Sequence, residues 1–196
     1  MATGVRARQR EQSRRTLVDE GARLFAARGY AAVGLEEIVA AAGVTKGALY
    51  HHFPSKAALF RAVLERVAQE VAARVEAAAD AEPDPWSRLT AGCRAFLEAA
   101  TAPHVQQVVL IDGPAVLGWA QWRAIDEATS GRLLAHALAA LIDDGIVARQ
   151  PVEPLTRLLS GAMNEAALWL ARSADPPRDL ADTWTALSRL LSSLRV

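Results

Sequence analysis

The stretch GVTKGALYHHFPSKAALF, Gly43 to Phe60, decides how the chain is read. It cannot be one continuous helix: Gly47 interrupts it, and Pro54 follows two adjacent histidines. Thr45 is a good N-cap for a helix of about two turns ending near His52, because its hydroxyl can accept from an orphan N–H of the first turn. Pro54 then enforces a corner. Ser55 caps a new, longer helix. Lys46 and Lys56, the chain's two lysines, both fall in this stretch, and the other twenty cationic side chains are arginine.

Working outward, the spacing of Leu17, Gly21, Leu24, Phe25 and Arg28 predicts a helix over Arg14–Arg28, stopped by Gly29. Leu35, Ile38, Val39 and Ala42 predict a second, short helix over Leu35–Ala42. Gly34 stands at its N-cap, and Glu36 and Glu37 sit in the first turn, where the helix dipole favours negative charge. Gly43 ends it. The helix that Ser55 caps carries Leu59, Phe60, Val63, Leu64, Val67, Val71 and Val75 to about Ala79.

Helix, glycine turn and short capped helix over residues 35–53 make the layout of a helix-turn-helix. A helix that enters a DNA major groove is short and presents small or polar residues outward. Leu49 and Phe53, four apart, face the core with Val44. Thr45, Lys46, Gly47, Ala48, Tyr50 and His51 are left for solvent or DNA. Gly47 costs about 1 kcal/mol of helix propensity relative to alanine. Either a backbone must come close to a phosphate there, or the helix simply has a weak spot. His51 and His52 point about 100° apart on a helix, and the i, i+4 spacing of helical metal sites is absent. The pair reads as a phosphate donor and a packing or capping residue, with no metal site.

The run GYAAVGLEEIVAAAGVTKGALYHHFPSKAALF, Gly29 to Phe60, resembles the DNA-binding domain of the tetracycline-repressor-like (TetR) family of bacterial transcriptional regulators. The resemblance extends over the first four helices, about a third of the chain. The resemblance implies an all-α fold. A helix-turn-helix domain over 1–54, with a basic arm over 1–13, would precede a regulatory and dimerisation domain over 55–196. It implies a homodimer on double-stranded, near-palindromic operator DNA, released by a small hydrophobic ligand. It implies DNA contacts from Thr45, Lys46, Gly47, Tyr50 and His51, with His52 close by, and a phosphate contact from Lys56. Many members carry Ser or Thr where this chain has Gly34, so a contact there would come from backbone N–H groups. The N-terminal arginines, Arg14 among them, could compensate along the phosphates.

The charge distribution agrees with a polyanion partner at the front. Residues 1–60 hold nine Lys+Arg against five Asp+Glu, and residues 61–196 hold 13 against 17, in a chain of zero net charge. The alternative for the arginine-rich start is a solvated tail. Cys93 is the single cysteine, so no internal disulfide forms. No apolar run reaches membrane-spanning length, and the expected location is the cytoplasm.

Beyond the linker AEPDP, Ala81–Pro85, the pattern predicts helices at Trp86–Ala100, His104–Asp112, Ala115–Thr129, Arg132–Asp144, Val152–Ala174 and Asp179–Leu194. Leu180, Trp184, Leu187, Leu191 and Leu194 form a heptad-like seam. The preceding helix is apolar nearly all round from Leu155 to Leu170 and must bury two faces. A dimer interface through Leu159, Met163, Leu170, Leu180, Trp184, Leu187 and Leu191 is therefore expected. Trp119 and Trp122, with Cys93, Phe96, His104, His136, Met163 and Asn164, are candidate walls of an organic-ligand pocket, and each could equally be plain core. Asn164, an amide in an apolar helix, needs a partner: ligand, dimer mate or backbone.

These features favour a ligand-responsive dimeric repressor. Alternatives are an activator or a regulator answering a protein partner, and, further off, a helical carrier or enzyme. A lone cysteine, four histidines without ligand spacing and no glycine-rich phosphate loop leave no catalytic residue or cofactor to nominate.

Overall fold

The computed structural model describes residues 2–196, with side chains from Ala7 onward. Met1 and the side chain of Arg6, both in the expected basic arm, lie outside the described residues. The helices are α1 (Ala2–Ala32), α2 (Leu35–Ala42), α3 (Lys46–His52), α4 (Lys56–Asp80), α5 (Pro85–Ala100), α6 (Pro103–Val105), a π-helical run Gln106–Asp112, α7 (Gly113–Leu117), α8 (Trp119–Ala128), α9 (Ser130–Asp143), α10 (Val152–Leu170) and α11 (Pro176–Ser192). Among the described residues, β pairing is confined to one isolated bridge, Val147 to Arg195. The fold is all-α, as the sequence led us to expect.

The expected arm is helical from residue 2. Ala, Arg, Gln and Glu dominate it and are strong helix formers. Ser13 and Thr16 donate back to the Gln9 and Gln12 carbonyls at 2.9 Å. Gly29 ends the regular helix with φ 76° and ψ 160°, a conformation closed to side-chain-bearing residues. Inside the head formed by α1–α3, Phe25, Tyr30 and Phe60 cluster with ring centroids 5.1–5.6 Å apart. Leu17, Ile38, Leu49 and Leu59 are fully buried around them. α4, about 37 Å long at 1.5 Å per residue, leaves the head and packs most extensively on α5. One core runs without interruption from the head along α4 to Val108, Trp122 and Ile125. A second joins α5, α9, α10 and α11.

Three expected boundaries move. Gly113-Pro114 does not break the chain: Gly113 is helical, and Pro114 lies in the first turn of α7, where its missing N–H is not needed. Glycine is required there for room, because a Cβ would sit 2.8 Å from both Leu64 Cδ1 and Trp122 Cδ1. The break falls instead at Gly118, φ 76°. Likewise Ser130-Gly131 opens α9, and the turn sits at Thr129. α10 stops at Leu170, and the Asp175-Pro176-Pro177 segment caps and begins α11.

Much of the expected dimer seam is covered within the chain itself. Leu159, Met163, Leu170, Leu187 and Leu191 are buried within the single chain, and Leu180 and Trp184 pack against the same core. α11 is an amphipathic helix laid on its own α5 and α10. Its repeat marks an apolar face without saying whose core that face covers. The outward face of α10 is a different stripe: Leu158, Gly161, Ala162, Glu165 and Trp169 are all exposed, Leu158 at 72%.

Candidate nucleic-acid interface and internal cavity

The reading helix is pinned from below and open above. Leu49 and Phe53 are buried, and the Phe53 N–H closes the helix on the Leu49 carbonyl at 2.8 Å. Thr45 Oγ1 accepts from Ala48 N at 3.2 Å, the expected cap. Thr45, Lys46, Gly47, Tyr50 and His51 are all exposed. A Cβ on Gly47 would meet only Thr45 Oγ1, at 3.9 Å, and one on Gly34 nothing within 4 Å. Internal packing therefore requires neither glycine. Lys46 Nζ is held at 2.9 Å by Glu36 of α2, a solvent-exposed pair that raises the lysine and lowers the carboxylate, chiefly through the shared hydrogen bond. Arg14 stacks over the Phe53 ring at 5.6 Å, beside the reading helix.

The histidine rings lie 5.5 Å apart and tilted by 68°. His52 is half-buried. Burial first, then His51, Arg14 and Arg10, hold its imidazole below the ordinary range, which favours the neutral ring. His51 is the exposed member of the pair.

Lys56 departs from the expectation of a solvent-facing phosphate contact. Its Nζ donates to the Tyr30 carbonyl at 2.5 Å and lies 4.1 Å from the centroid of the Tyr30 ring. Burial lowers its pKa, and Asp112 partly offsets that. Asp112 in turn accepts from the Tyr30 N–H at 2.7 Å. The turn after Gly29 is thus gripped from α4 on one side and from the π-helical run on the other. Sequence reading missed Asp112, which sits 82 residues from Tyr30. An aspartate at the end of a helix, where its charge opposes the dipole, was the available signal.

In the body a cavity of about 350 Å³ opens between α4, α5, α9 and α10. Cys93, Phe96, His136 and Met163 line it, as the sequence suggested. Burial pushes the Cys93 thiol up to about 12. Asn164 and Trp122 line instead a small adjoining space of about 30 Å³, and Trp122 Nε1 donates to the Val109 carbonyl at 2.7 Å. Trp119 is 67% exposed and His104 pairs with Glu70 on the outside, so neither belongs to the cavity wall. Trp119 points outward because its neighbour Trp122, three residues on, takes the core-facing side of α8.

Asn164 finds its partner inside the chain. Asp126 Oδ2 accepts from Arg123 at 2.9 Å, Ser160 at 3.1 Å and Asn164 at 3.3 Å. Burial raises the Asp126 carboxyl, and Arg123, Ser160 and Asn164 pull it back only in part. Asp126 lines both cavities. Nothing in the local spacing singles Asp126 out, because Ser160 and Asn164 lie 34 and 38 residues away on α10.

Residues 17–63 match the family model for bacterial regulatory proteins of the tetR family, and residues 86–194 the model for the tetracyclin repressor-like C-terminal domain. A crystal structure of a TetR-family transcriptional regulator from Pectobacterium atrosepticum is 36% identical, with 96% of each chain covered and a TM-score of 0.81. The HTH-type transcriptional activator FasR of Mycolicibacterium smegmatis is 38% identical over 89 residues, 45% of this chain and 41% of FasR. The HTH-type transcriptional repressor KstR2 of the same organism is 33% identical over 96 residues, 49% of this chain and 47% of KstR2. The match thus spans less than half of either curated relative. With the model matches falling on both the head and the body, and a solved relative alike from end to end, this chain belongs to the tetR family of bacterial regulatory proteins.

Proposed function

We propose that the protein is a homodimeric transcriptional repressor that holds a near-palindromic operator through α3 and lets go when an organic ligand fills the cavity. The observation that carries this reading is the open face of α3. Thr45, Lys46, Gly47, Tyr50 and His51 stand exposed on a helix whose opposite side is locked by Leu49 and Phe53. Lys46 exchanges Glu36 for a phosphate, Tyr50 meets phosphate or a thymine methyl, and the open backbone at Gly47 and Gly34 allows close approach. Arg14, beside Phe53, follows the strand flanking the groove.

The route from cavity to head runs through contacts already described. Asp126 lies at the cavity and, one turn away on α8, Trp122 holds the Val109 carbonyl of the π-helical run. That run ends at Asp112, which holds Tyr30 of the head. A ligand that shifts α8 therefore shifts the clamp that sets the angle of α1 and α4. Two heads must sit about 34–36 Å apart to read successive major grooves, so a small change in that angle is enough to lose the operator. The second copy docks on the exposed stripe of α10, where Gly161 and Ala162 permit close helix approach.

The test is binding of the purified protein to DNA upstream of its own gene, followed by fluorescence anisotropy over a range of salt. Affinity falls steeply with salt. Tyr50→Ala lowers it about tenfold or more, the scale of one good base or phosphate contact, with the melting temperature unchanged. Retained affinity in Tyr50→Ala would sink the reading. Similarity to FasR, an activator, favours a second reading in which the same grip recruits transcription. An operator upstream of the promoter elements, not over them, supports that alternative.

A further inference from the structure

We propose that the cavity takes a lipophilic amine, its apolar body along α5 and α9 and its protonated nitrogen on the free oxygen of Asp126. This rests on the reading of the cavity as the ligand site and adds the chemical class of the ligand.

Shape comes first. At about 350 Å³ the cavity is at the lower end of small-molecule sites, which run from about 300 to 1,000 Å³. Leu89, Cys93, Phe96, Leu133, Leu134 and Met163 give it an apolar wall. Its inner end is polar and built. Every hydrogen bond to the Asp126 carboxylate lands on Oδ2. Oδ1 takes no donor among the described residues, and it is not a sealed orphan either, since no buried side-chain polar atom there lacks a partner. Asp126 lines this cavity and the small space beside it, so a ligand in the cavity is placed to reach that unbonded oxygen. It is an acceptor waiting for a donor.

Charge then selects among donors. Asp126 belongs to a connected network with Arg123, Glu127, Arg157 and Glu153. That network has three carboxylates and two guanidinium groups, so it carries one uncompensated negative charge when fully ionised. Arg123 divides its hydrogen bonds among Asp126, Glu127 and Ser160. Glu76 and Asp80 add two more carboxylates to the cavity rim, against Arg88 and His136. Arg88 Nε is turned onto the Glu82 carbonyl at 2.9 Å. A carboxylate ligand would meet like charge at both ends of the cavity. An alcohol would fill the hydrogen bond and leave the charge. An ammonium fills both, and a charge-assisted bond away from water is the stronger kind. Burial raises the Asp126 carboxyl by disfavouring its charged form, and an ammonium beside it would draw it back toward ionisation.

Isothermal titration of the full chain with 4-phenylbutylamine, 4-phenylbutan-1-ol and 4-phenylbutyrate holds the body constant and changes only the head. The amine is expected to bind at least about tenfold tighter than the alcohol, with the carboxylate weakest. Asp126→Asn keeps an acceptor for Ser160 and is expected to erase the gap between amine and alcohol while leaving the alcohol's affinity in place. The proposal is overturned if the alcohol or the carboxylate matches the amine, if none of the three binds at millimolar concentration, or if Asp126→Asn keeps the preference. The comparison of heads on the native chain stands even should the variant fold poorly. No DNA is present, so the outcome is separate from operator release. Tight amine binding with unchanged operator affinity would defeat the repressor-release reading and leave the ligand class intact.

Discussion

The phosphate contact expected of Lys56 and the contacts it makes within the chain are separable at the scale of one residue. A phosphate contact would contribute about one unit of slope to the salt dependence of operator binding. As a strut Lys56 bonds the Tyr30 carbonyl and covers the Tyr30 ring. Lys56→Ala is expected to lower the melting temperature by a few degrees, because the Tyr30 carbonyl loses its donor. A variant that melts like the native chain but loses one unit of salt slope would return Lys56 to the phosphate role alone. Cys93 offers a second measurement. Its thiol, pushed up to about 12 by burial, is almost wholly protonated at pH 8. A thiol reagent is expected to leave the folded chain unlabelled and to label one cysteine in denaturant. Asp126 sets a pH dependence. Its pKa is raised in the folded chain, so folding binds the proton more tightly than unfolding does. Stability contributed by that proton is fully present below the ordinary aspartate range, near about 3.9, and is lost as pH rises through the folded-state value. Asp126→Asn is therefore expected to melt a few degrees above the native chain at pH 7, with the gap closing as the pH falls toward about 4. A gap that widens on acidification would show that Arg123 outweighs burial.

At the scale of the element, the π-helical run Gln106–Asp112 is the joint of the molecule. It touches α1, α4 and α10, gives its Val109 carbonyl to Trp122, and ends on the aspartate that holds Tyr30. A π turn is rare and usually marks a functional position. Here the wider backbone brings Asp112 to the Tyr30 N–H while Gly113 slides between Leu64 and Trp122. Gly113→Ala would place a methyl 2.8 Å from both. Overpacking of that kind costs about 1–3 kcal/mol, and a melting temperature lowered by several degrees is the expected result. The continuation of the run into α7 was not readable from the chain, because a Gly-Pro pair is the standard signal for a break. The signal failed because the proline falls where a first helical turn tolerates it.

For the whole molecule the decisive prediction concerns association. Leu158 and Trp169 are large apolar side chains exposed on α10, eleven residues and about three turns apart on one stripe with Gly161 and Ala162 between them. Leu158→Glu combined with Trp169→Glu is expected to shift sedimentation from dimer to monomer with little change in melting of the single chain. Operator affinity falls with it, because one head then binds a half-site alone. An unchanged dimer would move the interface elsewhere, to Leu190 of α11 or to Ile111 and Trp119, which are also large, apolar and exposed.

Local chemistry was enough to read the head. Thr45 and Ser55 as caps, Gly29 and Gly43 as stops, Pro54 as a corner and Leu49 with Phe53 as the buried pair all depend on neighbours within a few residues. They fall in the structure where the sequence places them. The same local signals located most helices of the body, because periodicity is a property of the segment. What only the tertiary structure decided is which side of each apolar helix meets its own chain. Leu187 and Leu191 face inward while Leu158 and Trp169 are left outside, and a repeat along one helix contains no information about what lies opposite it. The ammonium of Lys56, the carboxylates of Asp112 and Asp126 and the outward turn of Trp119 belong to the same class. Lys56 and Asp112 meet Tyr30, and Asp126 meets Ser160 and Asn164, across tens of residues, and packing, not spacing, chose those contacts.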